Sequence, residues 1–583
     1  MKNMMWVMAL NCAALLAACG SDSGSSNDAD SALSSGAALS SGVAGKSSSS
    51  AYMDSTALDT LPVKAISDKS VSGVSQKGPF LNGSSVTLQE LDGKTLAQTG
   101  KSFKGKISGD KGEFSVSSVT LASQYALLEA NGYYKNEVTG NNSTGTLTLD
   151  ALTDLSDRAN VNINLLTHLE YERALYLARE KGYNVPAAKK QASAEVLAAF
   201  GIAGDFGNSE DLSIFADGEG DAALLALSVM LQGDRSEAEL SALLADFSAD
   251  IEKDGVWDAA QTKADIADWA SSADLSAIRG NVEGWKLSAV VPDFEKYVNA
   301  YWENAYGLGS CTDANEGNVK QDTNGLSKNY KAYYACDSSV WRPASRVEIK
   351  LNKACVDKTE GDTMTYVSKW TCRSGVWTWD TDKINKGSFT YGGQTYKTVA
   401  VGFQVWMAEN LNYADSLALP NLKGRSSCYG DSPDSCAKYG RLYTWTGAMN
   451  LDSSYVATLA SAVIKIPHQG VCPAGWHIPT DDEWDELAEA VGGASSAGTK
   501  LKSKAGWNGS GNGTDDYGFS VLPAGYRYSN GDFIYAGYYA DFWSATEDGA
   551  NNAYIRYLNF SLAYMYSGID YKSYAFSVRC VQD

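Results

Sequence analysis

Repeated cysteines, two adjacent acids on a glycine-rich loop, a crowd of C-terminal tyrosines and a glutamate at a helix start are the residues of this 583-residue chain that could do chemistry. The cysteines fall in an internal repeat. Cys311-Thr-Asp313-Ala-Asn-Glu316-Gly317 matches Cys355-Val-Asp357-Lys-Thr-Glu360-Gly361, and Tyr334-Ala-Cys336 to Trp341 matches Trp370-Thr-Cys372 to Trp377. In each unit a tryptophan stands five residues beyond the second cysteine. Units this small cannot fold on an apolar core alone, so disulfides Cys311–Cys336 and Cys355–Cys372 are expected. No Cys-x-x-Cys spacing supports zinc.

The loop Asn508-Gly-Ser-Gly-Asn-Gly-Thr-Asp515-Asp516 offers two carboxylates and backbone oxygens of the kind Ca²⁺ prefers. It lacks the spacing of a twelve-residue calcium loop, and a solvated turn explains it as well. Tyr526, Tyr528, Phe533, Tyr535, Tyr538, Tyr539, Tyr564, Tyr566, Tyr571 and Tyr574 crowd the last 60 residues, with Trp507 just upstream. Alternating tyrosines put π-faces and hydroxyls on one sheet surface, suited to sugar rings or a protein partner. Trp507, Tyr526, Tyr535, Tyr538 and Tyr539 are the candidate binding residues; the competing reading makes half of the aromatics core. Glu483 follows Thr480 at capping-box spacing, which accounts for it without catalysis. No nucleotide, serine-hydrolase or zinc-protease motif is present, no carboxylate pair is singled out, and no catalytic residue is assigned.

Charge narrows the partners. With 48 Lys+Arg against 69 Asp+Glu the chain carries −21, so it lacks the clustered cations that phosphate backbones need. Three dispersed histidines argue against a His-rich metal centre.

The elements that must position these residues change along the chain. Residues 71–150 read as strands between Gly-rich turns, a small β-sandwich. Residues 151–306 read as a helical bundle: Asn164 to Ala178, Gln191 to Phe200, a capping box at Ser236 to Glu239, and Asp293 to Tyr306. His168 is expected to pack rather than ligate. Residues 307–383 hold the two Cys/Trp repeats, and 384–583 a loop-rich α+β domain with six Trp and 19 Tyr. One helix there is well marked, with Thr480 as N-cap and Trp484, Leu487, Ala488 and Val491 on one face.

The N-terminus supplies an address. Residues 1–18 read as a secretory signal, and Leu16-Ala17-Ala18-Cys19 resembles the lipobox of bacterial lipoproteins. The resemblance implies a diacylglycerol thioether on Cys19, cleavage before it and acylation of the new amine, with several chains anchoring far better than one. Gly20 and Ser21 in place of an inner-membrane retention Asp favour the outer membrane. Residues 19–70 read as a tether, with 13 Ser between Gly20 and Ser50. With Cys12 removed and Cys19 lipidated, eight cysteines remain. Cys428–Cys436 closes a short loop, and Cys472–Cys580 is then left to close a long one.

The C-terminal segment resembles the Fibrobacter succinogenes major paralogous domain. The phrases are Val405-Trp-Met-Ala-Glu-Asn-Leu-Asn-Tyr413, Cys436-Ala-Lys-Tyr-Gly-Arg-Leu-Tyr-Thr-Trp445, Cys472-Pro-Ala-Gly-Trp-His-Ile-Pro-Thr480, Tyr517-Gly-Phe-Ser-Val-Leu-Pro-Ala-Gly-Tyr-Arg527, Phe542-Trp-Ser-Ala-Thr546 and Ser577-Val-Arg-Cys580. His477 to Trp484 is also similar to formylglycine-generating enzymes, which implies a C-type-lectin-like α+β fold whose ends a disulfide ties. The Gly73 to Phe80 phrase resembles the prealbumin-like repeats of bacterial surface lipoproteins. The resulting expectation is a multidomain α+β lipoprotein, anchored in the outer membrane and displayed at the cell surface. It would act as a non-catalytic binding or adhesion protein for polysaccharide or an envelope component. An exported enzyme of formylglycine-generating or glycan-cleaving type, and a purely structural envelope protein, are the alternatives.

Overall fold

The computed structural model describes residues 62–288 and 290–583. The signal segment, Cys19 and the tether up to residue 61 lie outside the described residues. No helix among the described residues is long and apolar enough to cross a membrane.

Seven strands open the described chain: β1 (Ile66–Gln76), β2 (Ser85–Leu91), β3 (Gln98–Ile107), β4 (Glu113–Leu121), β5 (Tyr125–Gly132), β6 (Leu147–Asp154) and β7 (Ile163–Asn164). They pair as one continuous sheet in the order β6-β5-β2-β3-β4-β1-β7, antiparallel except for β1 with β7. Alternation aims Phe114, Val116, Val119 and Leu121 of β4 inward. The first strand begins at Ile66, inside the stretch assigned to the tether from composition. The run Ile66 to Val74 has apolar residues enough, Ile66, Val71 and Val74, to pair.

Seven helices follow: α1 (Leu165–Lys181), α2 (Val185–Ala199), α3 (Glu219–Gln232), α4 (Glu237–Ile251), α5 (Ala260–Ala270), α6 (Leu275–Gly284) and α7 (Glu295–Ala305). Asn164 caps α1 by accepting from Thr167 N, and Ser236 caps α4 through a capping box with Glu239. The change of sequence period near residue 150 does not mark a boundary in the core. β6 runs through it, and one apolar core extends from Ile66 through α3 and α4 to Cys336 and Trp341 of the first repeat. On the opposite face of β2, β5 and β6, Leu91, Leu127 and Leu152 pack against Ala174, Leu175 and Leu177 of α1 and Ala188 and Ala192 of α2. β5 and β6 are thus covered on both faces, and the sheet and helices make one body. His168 packs beside Asp150, accepting its backbone N–H at 3.2 Å.

Two hairpins carry the repeats. The first pairs Tyr333–Asp337 with Val340–Pro343, the second Lys369–Arg373 with Val376–Trp379. Disulfides join Cys311 to Cys336 and Cys355 to Cys372. The shared tryptophan has a shared job. Trp341 Nε1 donates to Gly309 O at 2.7 Å and Trp377 Nε1 to Lys353 O at 2.9 Å, in each case two residues before the first cysteine. Gly317 N and Gly361 N, both with φ above +80°, donate to Cys336 O and Cys372 O. The first unit joins the core of the sheet and helices; the second packs Trp370 on Phe403 of the C-terminal domain, ring centroids 4.3 Å apart.

The C-terminal domain has a five-stranded and an eight-stranded sheet with the helices Asp481–Ala490 and Ala494–Leu501. Val581–Gln582 pairs with both Gln404–Met407 and Trp476–His477 in the first sheet. Disulfides join Cys428 to Cys436 and Cys472 to Cys580. Thr480 caps its helix in a box with Glu483, as expected, and Glu483 also meets His477 Nε2 at 2.8 Å. Asp583 lies 2.7 Å from the other ring nitrogen. Burial alone depresses His477, but the two carboxylates win and hold its imidazolium above the ordinary value.

One buried ion pair fixes the helical core. Lys77 Nζ and Glu137 Oε2 are 2.6 Å apart with both side chains fully buried, and Ser228 of α3 donates to Glu137 and to Lys77 O. Burial lowers the Lys77 ammonium, and Glu137 opposes it. Glu137→Gln strands that ammonium and is expected to cost about 3–5 kcal/mol, whereas Lys77→Met with Glu137→Leu recovers most of it. Denaturant unfolding reads both. Equal losses in the single and double variants contradict this account.

Candidate functional site

The site is built on three adjacent antiparallel strands of the larger sheet, Tyr539–Asp548, Asn552–Asn559 and Met565–Tyr571. Their register sets its rows. Asp541 lies beside Tyr557, which lies beside Tyr566; Trp543 lies beside Ile555 and then Gly568; Ala553 lies beside Asp570. The alternate residues Ala540, Phe542, Leu558 and Met565 point into the core on the other side. That division follows from the two-residue period of a strand.

A run of tyrosine rings lies near the two acids. Tyr566 stacks on Tyr557 with centroids 5.0 Å apart, and Tyr557 lies 6.5 Å from Tyr539. The contacts continue from Tyr539 to Tyr535 at 5.3 Å, to Tyr526 at 5.8 Å, to Tyr574 at 6.4 Å and to Tyr571 at 5.5 Å. Tyr566 and Tyr571 stand five residues apart on one strand, on opposite faces by its two-residue period, so the rings form an open arc, here called the crown. Tyr535 and Tyr571 are about half exposed. Gly568 leaves room for Tyr557, whose Cε1 is 3.2 Å from where a Cβ would stand.

Asp541 is 4% exposed, and its buried Oδ2 has no hydrogen-bond partner. Among the described residues no ion pair involves Asp541 or Asp570. Burial, then the charge of Asp570, pushes the Asp541 carboxyl well above the ordinary carboxylate range. Burial raises Asp570 as well, against the Tyr571 N–H it accepts at 2.8 Å. Burial, then Tyr528, then both acids push up the Tyr526 hydroxyl; Asp541 adds to Tyr557 after burial and its neighbouring tyrosines, and Asp570 adds to Tyr574 after burial. A buried carboxyl without a cation is costly, which makes Asp541 the candidate polar group of the site.

The sequence candidates divide. Tyr526, Tyr535 and Tyr539 belong to the crown. Tyr538 stands outside it, exposed, with its ring edge-on to Phe560 at 5.2 Å. Trp507 is corrected: it is 4% exposed, donates to Val521 O at 3.0 Å and lies under the Lys502 ammonium, so it presents no face to a ligand. Asp515 spends its oxygens on Ser520, accepting from N at 2.7 Å and Oγ at 2.5 Å, while Asp516 is exposed. Among the described residues no three His, Cys, Asp or Glu side chains cluster to hold a metal. Asp541, Tyr557 and Asp570 escaped the sequence reading. Their one local signal is an acid inside the buried run Ala540-Asp541-Phe542-Trp543.

A cleft of 450 Å³ between the second repeat and the C-terminal domain is lined by Trp370, Trp377, Trp379, Phe403 and Tyr517. It is mostly apolar and holds no unpaired buried acid.

Residues 399–582 match the model of the Fibrobacter succinogenes major domain. The crown therefore belongs to that domain. No curated protein and no solved structure matches the chain.

The raised Asp541 has a pH signature. An acid raised above its unfolded value of about 3.9 costs no stability below that pH and its full penalty above its folded pKa. Asp541→Asn is therefore expected to raise the melting point at neutral pH by a few degrees, a gain that shrinks toward about pH 4. Thermal unfolding at the two pH values checks this. A gain independent of pH, or a loss at neutral pH, contradicts it.

Proposed function

We propose that this chain is a lipid-anchored protein of the outer membrane, displayed at the cell surface, whose C-terminal domain binds glycan without catalysing a reaction. The observation that carries this reading is the tyrosine crown. Amphipathic, partly exposed rings offer stacking faces and hydroxyls to a sugar, and the acids at their base offer directional hydrogen bonds. The lipobox at Cys19 and the Ser-rich stretch after it support display on a tether. The four disulfides support folding outside a reducing compartment. The lectin-like fold rests on the resemblance of the His477 to Trp484 phrase, and the Cys472–Cys580 bond supports it. An enzyme of the formylglycine-generating type would need a reactive thiol, and every cysteine among the described residues is in a disulfide.

One observation favours a second reading. Two carboxyls in one aromatic site, one of them raised by burial, are also the equipment of a glycan-cleaving enzyme.

Labelling with a palmitate analogue is expected to mark the parent and not Cys19→Ala; equal labelling removes the anchor. The full chain with Cys19→Ala, made in an oxidising compartment, is expected to be retained on at least one of cellulose, hemicellulose, chitin or an arrayed glycan. Tyr526→Ala, Tyr535→Ala and Tyr539→Ala should each weaken retention about tenfold, roughly 1.4 kcal/mol, and Tyr538→Ala far less. Retention on none of these removes the glycan reading. Released saccharide replaces it with the enzymatic one.

A further inference from the structure

We propose that the crown is a receptor for a protonated primary amine carried on a sugar, with Asp541 and Asp570 as counter-ions and the tyrosine rings as π-faces. This deepens the glycan reading and rests on it.

Three observations point to a cation. The first is the empty valence of Asp541. Its Oδ2 is buried, unpartnered and on the face of the sheet that carries Tyr557 and Tyr566. A neutral hydroxyl can donate one hydrogen bond there; an ammonium donates and also neutralises the charge. The second is the absence of any internal cation. The elements packed around Asp541 contribute Tyr526, Tyr557, Tyr566 and Asp570, which are neutral or acidic. Lys572 is paired with Glu547 and seated on Trp445. Arg527 lies over Phe533 with its buried Nε unpartnered, and it forms no ion pair with either acid. The third is the run of aromatic rings beside the acids. Ring quadrupoles attract cations when water is excluded, and tyrosine is among the rings that do so.

The two acids raise each other's cost of ionising, and a ligand cation removes that cost. Binding therefore carries a proton balance. As the ammonium settles beside Asp541, the Asp541 carboxyl loses its proton to the solvent and the amine keeps its own. Affinity should fall as pH drops, because the acids then hold their protons more tightly. An N-acetyl group abolishes the cation while leaving the sugar ring intact, so acetylation separates recognition of the amine from recognition of the ring.

The experiment uses the full chain with Cys19→Ala, titrated calorimetrically with glucosamine trimer, N-acetylglucosamine trimer and cellotriose. Two buffers of different ionisation enthalpy are used at each pH. Glucosamine trimer is expected to bind at least tenfold more tightly than its acetylated form, with release of up to one proton per site. Asp541→Asn should abolish both the preference and the proton release while retaining the far-ultraviolet dichroism of the parent. Asp516→Asn, which removes an exposed charge outside the crown, should alter neither. That control separates the crown from general attraction of a cation to an acidic chain. Equal binding of the two amino sugars overturns the amine proposal and leaves the glycan reading standing. So does a preference that survives Asp541→Asn. Binding of none of the three trimers, together with no retention on any polymer or arrayed glycan, overturns both.

Discussion

The C-terminal domain depends on the return of its last strand to the middle of a sheet. Val581–Gln582 takes its place between Gln404–Met407 and Trp476–His477, segments separated by some seventy residues of chain. The residues just before it complete the closure. Cys580 is bonded to Cys472, and the fully buried Arg579 donates to Asn410, Phe519 and Ser520 while stacking on Phe519 and Phe542. Burial lowers that guanidinium to about 9, against Asp515 and Glu409, which raise it. A planar cation with several fixed donors suits this junction of three loops, where a lysine would leave carbonyls unmet.

That closure is what holds the crown. Ala575–Ser577 precedes Arg579 and borders the long strand that carries Tyr539 and Asp541. It also places Tyr574 against Tyr526. Preorganisation of this kind lets a site keep an unpaired acid without collapsing around it, since the surrounding strands are fixed by the two cores on either side. The same economy appears at Lys77 and Glu137, but there the charge finds its partner within the chain. The contrast between a satisfied buried pair and an unsatisfied buried acid is the physical basis for assigning one to structure and the other to ligand.

Local signals were legible in the sequence and non-local ones were not. Thr480 and Ser236 could be read as caps because the bonds they make span only three residues. The repeat pairs, Cys311 with Cys336 and Cys355 with Cys372, followed from symmetry. The core shared across residue 150 is not legible, because a change of period does not reveal that α1 and α2 cover the sheet continuing past it. Trp507 was misplaced because an aromatic in a glycine-rich loop looks exposed until Val521 O is found for its indole. The acids of the crown were invisible for a different reason. Asp570 comes within electrostatic range of Asp541 only because three strands pair, and that pairing is not written in either residue's surroundings. The membrane anchor, the ligand and the absence of catalysis stay on the footing of sequence resemblance and site chemistry.

The central claim is that Asp541 waits in the free protein as an unpaired, proton-retaining carboxyl and ionises when its ligand arrives. Infrared difference spectroscopy of the parent against Asp541→Asn, followed over pH with and without glucosamine trimer, tests it directly. The account predicts a protonated carboxyl band in the free parent that persists above the ordinary carboxylate range. It predicts conversion of that band to carboxylate on addition of the amine. A carboxyl at Asp541 that titrates at or below the ordinary value, with no change on adding the sugar, contradicts it.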